Sequence, residues 1–128
     1  MYNKFGDKME VEVFKNYTDK EVNYPVKASL KMVNAGKLKL LGQNLPANLA
    51  ITNDSIVVLI YNKKNLKNPI FNTEMYFSKI KNIEVKEASL TKEKIIEIIG
   101  IDKAFFKFSI SKLNGEENIN NFINNLPN

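Results

Sequence analysis

The chain contains no histidine, no cysteine, no arginine and no tryptophan. Each absence closes a class of chemistry. Without histidine or cysteine, the common zinc sites, a cysteine nucleophile and a Ser-His-Asp triad are out of reach. Without arginine there is no planar fork to grip phosphate in two places; lysine meets phosphate as a point charge. The five glycines, at 6, 36, 42, 100 and 115, are scattered, so there is no glycine-rich phosphate loop. No run approaches 18 uncharged apolar residues, and no transmembrane helix is expected. The start, MYNKFGDKME, lacks the apolar core of a secretory signal. These absences, with no cysteine for oxidative pairing, make the cytoplasm the default expectation. No catalytic residue, metal site or cofactor is expected, and the chain reads as non-enzymatic.

What is present is lysine, asparagine and isoleucine. Nineteen lysines face fourteen acidic residues, giving a net charge of +5, and there are nineteen asparagines and fourteen isoleucines. All three residues use A- and T-rich codons, so an AT-rich genome is enough to account for much of this bias without selection for charge. The charge therefore describes a field that attracts polyanions, not a site. At 128 residues the chain is one ordinary domain, long enough to bury a core without disulfides.

Periodicity organises the chain from residue 25 onward. Before it, Met9, Val11 and Val13 alternate with Glu10 and Glu12, a short strand signal. Residues 1–24 are otherwise polar and read as a partly ordered N-terminal extension, with the domain spanning 25–128. PVKASLKMVNAG (25–36) carries two patterns. Pro25 at a first helical position and Gly36 just past an end favour a short helix. The rival is a strand, in which Ala28, Leu30 and Met32 alternate with lysine and serine. KLKLLG (37–42) reads as a strand. LPANLAITNDSIVVLIY (45–61) reads as two apolar strands joined at Asn53-Asp54, residues that tolerate a tight turn. Its second half, Ile56 to Tyr61, has no polar face, which predicts burial on both sides or within a curved sheet.

Residues 70–87 read as two strands or one bent strand, with Met75, Phe77 and Ile80 inside. KIIEIIGI and KAFFKFSI form a hairpin across Asp102-Lys103, with Gly100 at a bulge. In the tail, Asn114 and Glu117 have capping-box spacing. Ile119, Phe122, Ile123 and Leu126 then make one apolar helical stripe, ended by Pro127. A single amphipathic helix after a series of hairpins must lay that stripe on the sheet or plug its open end.

Several of these segments resemble bacterial pleckstrin-homology-like (PH and GRAM) domains. ANLAITNDSIVVL is similar to their second and third strands, MYFSKIKNIEV to the next segment, and FKFSIS with GEENINNFINNL to the last strand and closing helix. The resemblance covers about residues 37–126 and implies a mainly β fold: a barrel of antiparallel strands capped by a helix over 115–126. Phe122 stands where eukaryotic members carry a buried tryptophan. The first 24 residues have no counterpart.

The resemblance also makes basic residues near strand ends interesting, because members that bind phosphoinositides hold phosphates with them. The candidates are Lys27 and Lys31, Lys37 and Lys39, and the loop trio Lys63, Lys64 and Lys67. The plain reading of each cluster is a solvated surface, and the missing arginine departs from the family's phosphate motif. KAFFKFSISK offers an aromatic platform for nucleic acid, but its alternation more simply buries Phe106 and Phe108. The expectation is a binding or scaffold module for a protein partner or an anionic membrane surface, with a small basic nucleic-acid-associated protein as the alternative. The oligomeric state is not legible.

Overall fold

The computed structural model describes residues 11–36 and 44–127. Seven strands form one antiparallel sheet: β1 (Asn23–Asn34), β2 (Leu45–Ile51), β3 (Ser55–Ile60), β4 (Phe71–Tyr76), β5 (Ile80–Glu87), β6 (Lys94–Gly100) and β7 (Phe105–Ile110). Their spatial order is β4-β3-β2-β1-β7-β6-β5. β1 is thus the central strand, and β4 and β5 are the two edges of a curled half-barrel. The helix α1 (Glu116–Asn124) follows the last strand.

β1 decides between the two patterns in residues 25–36. The segment is a strand, not the favoured helix. Val26, Ala28 and Leu30 are buried in the barrel core. Ala28 lies opposite Ala47 on β2 and Ile110 on β7, so β1 has a hydrogen-bonding partner on each side. Two ladders outweigh the weak helical preference of one short segment. Gly36 adopts a positive φ of 61° in the turn that follows, which suits glycine after a strand as well as after a helix. The strand expected at 37–42 lies outside the described residues.

Strand periodicity sorts side chains to two faces. Inside, Leu30, Leu49, Ile56, Val58, Ile60, Ile96, Phe108 and Ile110 form one core, completed by Ile119 and Phe122 of α1. Phe106 and Phe108 face this core with ring centroids 6.0 Å apart and planes nearly parallel at 3°. Ile123 and Leu126 add the rest of the helical stripe. Helix and Phe122 therefore sit as expected, but the cap does not. The N-cap is Gly115, with no side-chain cap. Asn114 instead accepts from the Lys27 backbone N–H at 2.8 Å and donates to the Lys27 and Ser111 carbonyls at 2.8 and 2.7 Å. It pins the start of the helix to the start of β1.

Outside, Ala50, Val57, Leu59 and Tyr61 form a second buried cluster with Phe14 and Val22. This explains why β3 lacks a polar face: its inner side meets the barrel core and its outer side meets the segment before β1. Of the strand expected over Met9, Val11 and Val13, Met9 lies outside the described residues, and the described part, from Val11, is not a strand. Phe14 N–H bonds to the Val11 carbonyl at 3.1 Å and Tyr17 N–H to Phe14 at 3.0 Å, a set of helical turns that aims Phe14 at the sheet. The irregularity expected at Gly100 lies across the ladder: the register shift is in β5, between Ile80 and Asn82, where Ile80 pairs with Gly100.

Candidate binding surfaces

The loop from Tyr61 to Ile70, between β3 and β4, carries Lys63, Lys64 and Lys67. Its asparagines set its shape. Asn62 accepts from the Lys64 backbone N–H at 2.9 Å, and Asn65 from that of Lys67 at 3.0 Å. Asn62 and Asn65 also form a small bridge, and Ile70 N–H returns to the Ile60 carbonyl at 2.8 Å. Such side-chain-to-backbone bonds make a loop hold a turn without core contacts. The consequence is an exposed tip where all three lysines are solvent-facing and Leu66 is 62% exposed, followed by Ile70 at 49%. An open leucine set among three lysines is an amphipathic tip, and it was missed in the sequence because a lone apolar residue in a polar loop carries no periodicity.

Lys27 joins this surface. Lys27, Val13, Pro46, Asn48, Tyr61 and Leu66 line one groove of about 290 Å³ on the outer side of the sheet. Asn48 donates to the Tyr61 hydroxyl at 3.1 Å, and burial pushes the Tyr61 phenol up from its ordinary range. Lys31 is elsewhere: it sits at the register shift of β1 and donates to Asn44 Oδ1 at 2.7 Å. Lys37 and Lys39 lie outside the described residues. Of the candidates, the fold brings Lys27 to the groove of the β3–β4 loop and commits Lys31 to a neighbour.

A polar cluster that sequence spacing did not reveal lies at the β2–β3 turn. Lys20 Nζ donates to Asp54 and Glu74, each at 2.8 Å, and sits 4.5 Å from the centre of the Tyr76 ring. Ser55 Oγ donates to Glu74 at 2.6 Å, and Thr52 bonds both Ser55 and Asp54. The two carboxylates, Asp54 first, raise the Lys20 ammonium above the ordinary lysine range. In return Lys20 holds the Asp54 carboxyl below its usual value. Ser55 and Thr52 are buried with their hydroxyls engaged, so the cluster fastens the N-terminal segment to the sheet and presents no free nucleophile. A second set runs across the outer face of β5, β6 and β7, where Lys86 and Lys107 approach Glu97 at 3.3 and 3.9 Å. Glu97 is the main cause of the raised Lys86 pKa.

Among the described residues, no group of three acidic, histidine or cysteine side chains is placed to hold a metal ion. No described helix is long and apolar enough to cross a membrane.

No family model matches the chain, and no curated protein matches it. Among solved structures, the pleckstrin homology (PH) domain of USP37 is similar, with a TM-score of 0.51 over 74% of this chain and 88% of that one, at 9% identity. At that identity the likeness speaks for the fold alone. Seven antiparallel strands curled around one core and closed by a C-terminal helix give this chain a PH-like fold.

Proposed function

We infer that the chain is a non-enzymatic binding module that associates weakly with anionic membrane surfaces, on the cytoplasmic side, through the β3–β4 loop. The observation that carries this reading is the pairing of Leu66 with Lys63, Lys64 and Lys67 on one exposed, asparagine-braced tip. Each lysine near an anionic surface contributes about 1 kcal/mol. Insertion of Leu66 adds about 1.5–3 kcal/mol. Together these support reversible adsorption without any bidentate grip on a headgroup. The PH-like resemblance supports the same class of function, and within it the sequence leans toward the bacterial GRAM-like members.

A protein partner is the second reading. Among the described residues β4 pairs with β3 alone and β5 with β6 alone, and an open strand edge accepts an added strand. For nucleic acid the chain offers less: Phe106 and Phe108 are buried, and Lys107 approaches Glu97.

Co-sedimentation with neutral and anionic vesicles, with a short duplex as competitor, tests the reading. Binding to anionic vesicles alone is expected, weakened by Lys63→Glu with Lys64→Glu and by Leu66→Ser. Equal binding to neutral vesicles, or retention by the duplex in preference to vesicles, overturns it.

A further inference from the structure

At the far end of β1 from the helix tether at Lys27, the barrel interior opens into a cavity of about 590 Å³. Its size lies within the range of ordinary small-molecule sites. The floor is continuous with the core. Phe106 and Ile98 are almost fully buried there, while Phe71, Met75 and Ile80 are half-buried and line the walls. The register explains this lining. Phe71, Thr73 and Met75 oppose Ile60, Val58 and Ile56, so β4 turns the same face inward as β3, yet among the described residues no strand pairs with its far edge.

The mouth is charged. Lys79 stands on the turn between β4 and β5, and Lys103 on the hairpin between β6 and β7. The Ile101 N–H bonds to the Lys79 carbonyl at 2.9 Å, and Lys103 N–H to Gly100 at 3.0 Å, so the two turns are sewn together and both lysines belong to one rim. The acids at the cavity are differently placed. Glu74 accepts from Lys20 and from Ser55, and Asp102 accepts from the Ala104 N–H at 3.0 Å. Glu74 shares Lys20 with Asp54 and is turned toward that pair, so among the described residues the rim presents Lys79 and Lys103 beside Asp102.

We propose that this cavity binds an aliphatic molecule with a single anionic head, of the medium-chain fatty-acid class. The chain lies on Phe71, Met75, Ile80 and Phe106, and the carboxylate meets Lys79 and Lys103. Phe71, Met75, Ile80, Ile98 and Phe106 give an alkyl chain a continuous apolar floor, while Asn34, Thr73 and Tyr76 stand beside it in the lining. The lysine pair selects an acid over a neutral alcohol through charge-assisted hydrogen bonds. The site is separate from the β3–β4 loop, and its failure leaves the membrane reading untouched.

Isothermal titration of the full chain with dodecanoate and with dodecanol, both below micelle concentration, tests the proposal. Dodecanoate is expected to bind with one site and dodecanol about tenfold more weakly, the worth of one charge-assisted contact. Lys79→Glu with Lys103→Glu removes that preference and leaves dodecanol binding unchanged. Met75→Trp fills the cavity and abolishes both; Thr73→Phe serves the same purpose if the tryptophan variant fails to fold by circular dichroism. Lys64→Glu leaves dodecanoate binding unchanged. No binding of dodecanoate, equal affinity for acid and alcohol, or indifference to both filling variants overturns the proposal.

Discussion

The two ends of β1 are finished differently. Near Lys27, α1 closes the barrel: Phe122 is 1% exposed and Ile119 8%, and Asn114 ties the helix start to the strand. Near Asn34 the same core ends in half-buried Phe71, Met75 and Ile80 beneath a rim of lysines. The outer faces differ in the same way. Phe14 and Val22 cover β2 and β3, whereas the outer side of β5 and β6 carries ion pairs in water. Covered surfaces hold the fold together; the uncovered ones are where the proposed ligand and membrane contacts would gain area to bury.

The comparison is broken most severely at the covered sites. Phe122→Ala is expected to cost about 3–5 kcal/mol, because it removes a fully enclosed aromatic ring and leaves a cavity. Phe14→Ala is expected to approach the same range, read by urea denaturation; a loss below about 1 kcal/mol would mean that the segment before β1 is an ornament on the barrel. Met75→Ala, at a half-buried wall, is expected to cost about 1–2 kcal/mol, less than either phenylalanine. A smaller gain is expected at Lys92, which holds a positive φ of 65° in the turn between β5 and β6. Lys92→Gly relieves that strain and is expected to stabilise by about 0.5–1 kcal/mol.

The Lys20 cluster adds a pH signature. The Asp54 carboxyl is depressed in the folded chain, so the stability it contributes is present above its unfolded value of 3.8 and is lost as pH falls below that value toward the folded one. Lys20 is raised, so its contribution is present below 10.5 and is lost only as pH climbs beyond it. Asp54→Asn is therefore expected to lower stability at neutral pH and to flatten the acid limb of the melting-temperature profile. An unchanged acid limb would show that the pair is fully screened by water.

What the sequence made legible follows from how locally each feature is encoded. The hairpin at Asn53-Asp54, the inward Phe106 and Phe108, and the apolar stripe from Ile119 to Leu126 are set by neighbours two to four residues apart. The strand nature of 25–36 was not, because Pro25 and Gly36 carry helix-boundary signals and the choice is made by β2 and β7 on either side. Pro25 falls at the register shift between Asn23 and Val26, where a missing N–H interrupts no regular ladder. Asn114 has the spacing of a helix cap, yet its partner is Lys27, 87 residues away. Lys20 meets Asp54 and Glu74 across 34 and 54 residues, a convergence no spacing rule contains. Among the site candidates, Lys63, Lys64 and Lys67 could be grouped because one loop holds them. Leu66 could not, because its exposure beside those lysines shows only in the folded loop.

The most direct test is an amide NMR titration of the labelled chain with bicelles, with and without an anionic lipid. The expected result is shift or broadening confined to Lys63–Ile70 and neighbouring Lys27, only with anionic bicelles, while Ile119–Leu126 stay unchanged. Perturbation centred on the helix, or none at any lipid composition, would contradict the account.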